Sequence, residues 1–514
     1  MLNVIIKTVI YISVKLMNAM ECLLSVPYYF KTKKKVPRIT NKILLYSARR
    51  LLQMISNKEI LCEDVIKAYI ARINQVNPLL NAVVEDKFDE AIAKAKHFDE
   101  IISKSDMDSK ELLEKYPLLG LPLTVKESIS MKDSSYTSGK VFIGGRRATR
   151  DAPIVKLCKD AGAIPLLVSN TPELSANFET FNNVTGLTRN PYDHRRTTGG
   201  SSGGEAALLG AGASLIGLGS DIYGSLRLPA HFCGVWGHKS SPYSTSIEGH
   251  YPTASDVQEW KKVFTLGPMA RYASDLSLIL DVITEKRLKL HTSVDLRNVK
   301  YYYMDYNHST LYSRLDKHTH IAIQKLITYI ESSNPGSVKK IHLDDFKYTA
   351  ELPFLKMLSF EVEDLLENDG KDWLKELYGY LTGRSRKVFV LVVLQILKRL
   401  YTVFIPNTVQ CQYDNVLNKL RCDLTAVLGN DGVLIYPCHP TSARFHGRMY
   451  GNCVNYSFLG LFNCLGFPVT NCTLGLNSNG LPVGVQIAAV ANNDRLTIAV
   501  AEEIEKVFGG WVAP

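Results

Sequence analysis

Residues 197–240 read TTGGSSGGEAALLGAGASLIGLGSDIYGSLRLPAHFCGVWGHKS, and the rest of the chain is interpreted around them. Two glycine turns carry serines, one at Ser201 and Ser202 and the other at Ser225, on either side of an apolar segment. Glycine permits positive φ and lets backbone amides approach a reacting atom, while serine supplies a hydroxyl. A flexible linker would lack the interspersed apolar residues. The stretch therefore predicts a rigid site that stabilises an oxyanion.

Two other glycine motifs do not account for this stretch. Residues 199–203 satisfy G-x-S-x-G, the nucleophile elbow of α/β-hydrolases, in which a buried strand leads into the serine turn. Here the preceding residues, 189–198, read RNPYDHRRTT and are mostly polar, so the context fails. A phosphate-binding loop requires a lysine directly after its last glycine, and Glu205 stands there instead.

The stretch resembles the signature of the amidase signature family, GGSSGGE…G.GSDIGGSIR.PA, almost position by position. The resemblance extends from Ser47 to Trp511. Within the family, GLPLTVKES at 120–128, NPYD at 190–193 and the closing FGGWVAP are most similar to fatty-acid amide hydrolases of the second type. The resemblance implies an α/β fold in which a central mixed, twisted β-sheet is covered by helices on both faces. Alternating helix and strand patterns along the chain agree with such a sheet.

The same resemblance implies a Ser–Ser–Lys site for amide hydrolysis. The implied catalytic residues are Lys126, Ser201 and Ser225. The lysine acts as the base, the first serine passes the proton, and the second serine attacks the carbonyl. The implied oxyanion-hole amides are those of Ile222, Tyr223, Gly224 and Ser225. The implied supporting residues are Ser202, Asp221 and Arg227. For a lysine to act as a base, its pKa must fall by a few units from ~10.4, which burial can provide.

At two of these positions the residues alone allow a second interpretation. A lysine at the end of an apolar strand is either a surface lysine whose stem covers the strand end or a buried functional group, and only the family match favours the second for Lys126. Tyr223 stands where the signature has glycine, in DIYGS for DIGGS. A side chain there is expected to require a different backbone angle or to narrow the acyl pocket. Retained, altered and reduced activity all stay open.

Composition restricts the classes of partner. With 46% hydrophobic and 21% charged residues, the 514-residue chain is typical of a globular protein, and we expect one catalytic domain over 40–514. The net charge of +10 comes without a basic stripe interleaved with aromatics, so we expect no nucleic-acid partner. Ten cysteines show no C-x-x-C pair, and the histidines show no metal-ligand spacing, so we expect neither metal nor cofactor. The expected partners are a long-chain amide substrate and membrane lipid, and a homodimer stays open.

The N-terminal residues 1–35 are predicted to anchor the protein to a membrane. They are apolar up to Phe30 and are followed at once by Lys31, the three lysines at 33–35 and Arg38. A cleaved signal peptide would carry its charge before the apolar region, unlike this segment. A spanning anchor, an interfacial helix and a soluble core helix stay open as alternatives. We expect the endoplasmic reticulum or another intracellular membrane, with the face undecided.

A second apolar run, RKVFVLVVLQILKRLYTVFIP at 386–406, is predicted to be a membrane-facing cap. Its apolar core is too short to span a bilayer but long enough for a buried or interfacial helix. Basic side chains around it are expected to suit lipid headgroups: Arg384, Arg386, Lys387, Lys398 and Arg399. An ordinary core helix is the alternative.

Local patterns predict several elements before the signature. Ser47 is predicted to cap a helix that runs through Ile55, and a second helix is predicted from Glu63 until Pro78 ends it. Residues 103–114 are polar and are predicted to form a surface loop. A strand over 119–125 is then expected to deliver Lys126.

Together these features predict a membrane-associated serine amidohydrolase. It is expected to cleave fatty-acid primary amides or N-acylethanolamines to a free fatty acid and an amine. The alternatives are a glutaminase subunit of an amidotransferase, which shares the signature but is soluble, and a catalytically weakened lipid-binding relative.

Overall fold

The computed structural model describes residues 21, 25–304, 311–450 and 453–514. Within them, eleven strands form one sheet, and two short strands form a separate hairpin. The strands are β1 (Val83–Asp86), β2 (Pro122–Lys126), β3 (Ile164–Ser169), β4 (Phe181–Asn182), β5 (Gly186–Leu187), β6 (Ile216–Asp221), β7 (Trp236–Lys239), β8 (Thr265–Ala270), β9 (Lys300–Tyr303), β10 (Val338–Lys340), β11 (Gly432–Pro437), β12 (Val469–Leu476) and β13 (Pro482–Ala488).

The large sheet is mixed, as predicted. Its order is β1-β3-β2-β6-β8-β7-β12-β13-β11-β9-β10, and β4 pairs with β5 in the hairpin. Strand β2 lies parallel to both β3 and β6, whereas β7, β8, β12 and β13 pair antiparallel in the centre. The parallel neighbours β2 and β6 matter most for the site, because the carboxyl ends of parallel strands meet at one edge of a sheet.

Helices flank this sheet. They are α1 (Ala48–Ser56), α2 (Cys62–Leu80), α3 (Phe88–Lys104), α4 (Ser109–Lys115), α5 (Pro153–Asp160), α6 (Gly203–Gly210), α7 (Arg227–Cys233), α8 (Val257–Val263), α9 (Ala273–Ile283), α10 (Lys317–Ser333), α11 (Leu352–Ser359), α12 (Trp373–Leu381), α13 (Phe389–Phe404), α14 (Asn407–Leu428), α15 (Ser457–Leu465) and α16 (Asp494–Phe508). The largest apolar core joins the early helices to the strands from β2 to β13. The core already includes the buried Val36, so the packed body begins before residue 40.

The early helices confirm one prediction and correct two. The Ser47 side chain accepts a hydrogen bond from the Arg50 amide and caps α1 as predicted. Helix α2 continues through Pro78 to Leu80, so the predicted end was wrong: a proline in the last turn removes only one amide donor, and Asn81 then ends the helix in the left-handed conformation. The predicted loop over 103–114 contains α4, which a capping box of Asp108 and Glu111 stabilises.

The described part of the predicted N-terminal anchor packs on the catalytic body. The ring of Tyr29 lies 4.2 Å from that of Phe445, and the ring of Tyr28 lies 5.1 Å from that of His446. The Val36 amide donates to the Pro191 carbonyl at 3.2 Å. Residues 1–20 and 22–24 of the predicted anchor lie outside the described residues. Among the helices that the structure does describe, none is by itself long and apolar enough to cross a membrane.

The predicted cap is a helix, α13, followed after a bend of 105° by α14; by length and composition alone, this bent pair could be a broken span. One expectation about its charges was wrong. Lys398 is buried, donates to the carbonyls of Leu358 and Phe360 at 3.0 and 3.1 Å, and pairs with Glu361. The Lys398 ammonium is therefore bound by residues 358–361 of the same chain and does not face outward. Arg384 and Arg386, by contrast, are exposed.

Candidate active site

The register of β2 and β6 brings Lys126 to the signature segment. Val125 of β2 lies opposite Leu218 of the parallel strand β6, so the last residue of β2 lies beside the end of β6. Lys126 Nζ lies 2.9 Å from Ser220 Oγ on β6 and 2.7 Å from Ser201 Oγ on the first glycine turn. The lysine and the first serine predicted from the signature are therefore in direct contact.

Lys126 has the electrostatic character of a base. Its side chain is fully buried, and desolvation lowers its pKa from 10.5 to about 7, against the opposing effect of the carboxylates of Asp221 and Glu205. The interpretation of this residue as a surface lysine is thus wrong, because no part of it reaches solvent. A pKa of about 7 leaves a large share of the amine unprotonated at neutral pH.

The two serine turns are held against each other through the backbone. The Ser202 amide donates to the Ser225 carbonyl at 3.2 Å, and Thr171 Oγ1 donates to the Ser201 carbonyl at 3.1 Å. A Cβ on Gly200 would lie 2.3 Å from the Asn177 carbonyl oxygen, so only glycine fits before Ser201. Ser202, predicted as a supporting residue, therefore links the two turns through its main chain.

Ser225 lies on the second turn and is largely buried. In the described part of the chain, its Oγ forms no hydrogen bond to Ser201, so the second link of the predicted triad is not made here. Catalytic hydrogen bonds are often long without substrate and shorten in the reacting complex. The structure thus brings together Lys126 and Ser201, with Ser225 on the adjoining turn.

The predicted oxyanion amides are not equivalent. The Gly224 amide donates to Asp221 Oδ1 at 2.8 Å, so it is already occupied. The amides of Ile222, Tyr223 and Ser225 donate to no acceptor among the residues that the structure describes. Of the four amides predicted for an oxyanion hole, these three are therefore the ones without an acceptor.

Asp221 and Arg227 form a buried ion pair under the second turn. Arg227 donates from Nη2 to Asp221 Oδ1 at 3.0 Å and from Nε to Oδ2 at 3.1 Å, and it also bonds Gln486 and Asn463. Burial opposes ionisation of Asp221, but the charge and hydrogen bonds of Arg227 and the Asn463 bond outweigh it and lower its pKa to about 2. Because Asp221 also accepts a hydrogen bond from the Gly224 amide, the ion pair fixes the shape of residues 221–225, the predicted oxyanion loop.

Tyr223 is accommodated without a left-handed backbone. Positive φ occurs in this turn at Gly224 (+99°) and not at Tyr223, so the tyrosine side chain introduces no left-handed strain. Its ring lies against Gly460 and 5.9 Å from the ring of Phe178, and its hydroxyl lies 2.8 Å from Ser457 Oγ. The side chain therefore fills an apolar cluster beside the oxyanion loop.

Sequence reasoning missed two polar residues that this geometry places next to the lysine. Ser220 contacts Lys126 directly, and His250 Nε2 lies 3.1 Å from Ser220 Oγ. The β2–β6 pairing would have predicted the first contact, since Ser220 lies near the end of a strand parallel to that of Lys126. The second depends on the long connection between β7 and β8, whose path no local pattern predicts.

A family model described as Amidase matches residues 64–498, which is most of the chain. The chain belongs to the amidase signature family. Fatty-acid amide hydrolase 2 of Homo sapiens is 39% identical over 94% of this chain and 93% of its own length. Fatty-acid amide hydrolase 2-A of Danio rerio is 38% identical over 93% of this chain and 92% of its own length. The predicted resemblance to the second type is thereby confirmed.

Solved structures agree on the fold. A structure titled fatty acid amide hydrolase matches with a TM-score of 0.71 at 21% identity, covering 92% of this chain and 87% of that one. The structure of 6-aminohexanoate cyclic dimer hydrolase matches with a TM-score of 0.73 at 21% identity, covering 92% of this chain and 98% of that one. The family model and the relatives named fatty-acid amide hydrolase 2 show that this protein is an amide hydrolase, and the solved structures show the family's mixed sheet and flanking helices.

Proposed function

We propose that this amidase-signature protein hydrolyses long-chain fatty-acid amides, either primary amides or N-acylethanolamines, by a Ser–Ser–Lys mechanism. The observation that carries the mechanism is the contact of the fully buried Lys126 Nζ with Ser201 Oγ at 2.7 Å. The similarity to proteins named fatty-acid amide hydrolase 2 supports the substrate class.

In the proposed reaction, neutral Lys126 accepts the proton of Ser201 while Ser201 accepts the proton of Ser225. Ser225 Oγ then bonds to the amide carbon, and the carbonyl oxygen becomes an oxyanion facing the unpaired loop amides. As the C–N bond breaks, the proton returns from Lys126 through Ser201 to the departing nitrogen. Water then hydrolyses the acyl-enzyme to the fatty acid and restores Ser225.

The surroundings of Ser225 favour an apolar acyl group. The oxyanion loop contributes Ile222 and Tyr223 to an apolar cluster that also contains Tyr456 and Leu459. The rings of Phe178 and Tyr456 stack there with centroids 3.4 Å apart. Ile222 and Phe178 are only partly buried, so an acyl chain placed against them would bury apolar surface, which stabilises binding at roughly 25 cal/mol per Å².

Hydrolysis of a substrate panel tests the proposal. Oleamide and long-chain N-acylethanolamines are expected to be cleaved with kcat/KM at least ~10-fold above short aryl amides, because a few more buried methylenes contribute ~0.8 kcal/mol each. Release of free fatty acid is measured by chromatography. Turnover of glutamine or of short amides only would favour the glutaminase alternative, and labelling without turnover would favour the weakened lipid-binding alternative.

We further propose that the protein associates with membranes through its apolar surface at α12 and α13. Leu374, Tyr378 and Leu381 lie four and three residues apart on α12, so they share one face, and all three are exposed. On α13, Leu400, Val403 and Phe404 are also exposed. Exposed apolar side chains next to the exposed Arg384 and Arg386 suit an interface with anionic lipid.

Vesicle binding tests this surface. In a chain shortened to begin at Glu21, Leu374→Glu with Leu381→Glu is expected to lower flotation with phosphatidylserine-containing vesicles by about tenfold, since each acidic side chain opposes insertion. These side chains are 61% and 75% exposed, so the fold should tolerate the change. Leu45→Glu with Leu61→Glu is the matched control, because it adds the same two charges at side chains that are 45% and 53% exposed and lie outside α12 and α13. Equal flotation of both variants would contradict the proposed surface.

A further inference from the structure

A buried chain of hydrogen bonds continues from Lys126 away from Ser201. Lys126 Nζ lies 2.9 Å from Ser220 Oγ, and Ser220 Oγ lies 3.1 Å from His250 Nε2. The other ring nitrogen, His250 Nδ1, lies 2.9 Å from the Pro252 carbonyl oxygen. Ser220 and His250 are both buried. The Ser–Ser–Lys mechanism gives neither residue a role.

The direction of each hydrogen bond in this chain can be worked out. A carbonyl oxygen only accepts, so Nδ1 of His250 carries the ring proton and donates it to Pro252. Burial, together with the charge of Lys126, lowers the pKa of His250 to about 3, so the imidazole is neutral and Nε2 is an acceptor. The Ser220 hydroxyl therefore donates its only hydrogen bond to Nε2 and accepts a hydrogen bond from Lys126 Nζ.

We propose that His250 is a positioning residue that orients the lone pair of Lys126. Because His250 accepts the hydrogen bond of the Ser220 hydroxyl, Ser220 can only accept a hydrogen bond from an N–H of the neutral lysine. The lone pair of the lysine is then left for the proton of Ser201. The inference rests on the proposed Ser–Ser–Lys function and adds to it the reason why the base faces the correct serine.

The backbone around His250 is built to hold this ring in place. The Tyr251 amide donates to the Ser128 carbonyl at 2.9 Å, and the Ser130 amide donates to the Gly249 carbonyl at 2.8 Å. These contacts join the loop of His250 to the segment that directly follows Lys126. The ring of Phe264, which directly precedes β8, packs 4.7 Å from the imidazole.

Loss of His250 would leave the Ser220 proton without its acceptor. The hydroxyl could then rotate and donate to the lone pair of Lys126, in competition with Ser201. The carboxylates that face the lysine, Asp221 and Glu205, would be unchanged. The base would therefore still lose its proton near the same pH, but its lone pair would be occupied for part of the time. The expected signature is a lower plateau without a rise in the midpoint of the pH profile.

Labelling of Ser225 by a fluorophosphonate probe measures this effect without requiring any particular amide substrate. We would record the second-order labelling rate between pH 5 and pH 10 for wild type, His250→Ala, Ser220→Ala and the double variant. His250→Ala is expected to lower the plateau about tenfold, the size of one well-placed hydrogen bond. His250→Gln offers an acceptor to Ser220 and is expected to recover most of the rate.

The double variant separates positioning from packing. If His250 acts through Ser220, adding His250→Ala to Ser220→Ala should cause no further loss of labelling. A structural role of the ring would produce the same loss in both backgrounds, and that result would overturn the inference. So would a His250→Ala plateau equal to that of wild type, or a midpoint that rises while the plateau is fully recovered at high pH. Thermal unfolding shows whether each variant is folded. If His250→Ala does not fold, the single variants Ser220→Ala and His250→Gln still test the inference.

Failure of the proposed function can be distinguished from failure of the role of His250. Wild-type protein that is not labelled at Ser225 would remove the Ser–Ser–Lys function and this inference with it. Wild-type protein that labels at Ser225 and cleaves long-chain amides, with no coupling between Ser220 and His250, would overturn only the role of His250.

Discussion

Replacing Ser225 with alanine is expected to abolish fluorophosphonate labelling and to lower amide turnover by roughly 10⁴–10⁶-fold, as loss of a serine nucleophile does in other hydrolases. Ser225 would form the acyl bond, so no other residue can take its place in the adduct. Ser201→Ala should slow labelling without abolishing it, because Ser201 only passes a proton. Peptide mapping by mass spectrometry measures where the adduct lies.

The control for this prediction is a buried serine of the same stretch. Ser240 is buried, and its Oγ has no hydrogen-bond partner among the described residues, so Ser240→Ala should label at the wild-type rate. An adduct found on Ser201, Ser202 or Cys233 would contradict the assignment of the nucleophile. The Cys233 thiol lies close to the first serine turn, 3.8 Å from the Thr198 carbonyl oxygen, but burial raises its pKa well above the ordinary value.

The signature residues were predictable because their spacing is local. Four glycines, at 199, 200, 203 and 204, keep side chains out of a crowded turn, and a Cβ on Gly204 would lie 2.5 Å from the Asn170 backbone. Such constraints preserve a recognisable pattern in the sequence. The resemblance of that pattern, and of GLPLTVKES around Lys126, to the amidase signature implied Lys126, Ser201 and Ser225 together. The fold class followed from the same resemblance.

What could not be predicted depends on tertiary contacts. Lys398 follows an apolar run and so was expected to face headgroups, but carbonyls of a distant segment bind its ammonium. Gly224 was counted with the oxyanion amides, yet its amide is occupied by Asp221, a contact that depends on how the loop curls over β6. His250 has no motif, and only the path of the connection after β7 brings it to Ser220.

Replacing Lys126 with alanine is expected to lower amide turnover by ~10²–10⁴-fold, as loss of a proton-transfer group does. A general base must be deprotonated, so the wild-type rate should be low below the pKa of about 7, rise through it, and stay high in the alkaline range. The buried His231 and His439 would not give this profile, since desolvation lowers the pKa of His231 to about 4 and that of His439 to about 3. The pH dependence of kcat/KM measures the midpoint.

A midpoint near pH 7 does not by itself identify Lys126, because burial also lowers the pKa of Lys239 to about 7. Lys239 donates to the carbonyls of Ser240 and Phe467, and Lys239→Met is therefore the matched control. That variant should keep the midpoint, whereas Lys126→Ala should remove it. Ester hydrolysis should suffer less than amide hydrolysis in Lys126→Ala, because an alkoxide leaves with less help from a proton than an amine does. Normal amide turnover with an unchanged pH profile in Lys126→Ala would rule out the lysine as the base and, with it, the positioning role assigned to Ser220 and His250.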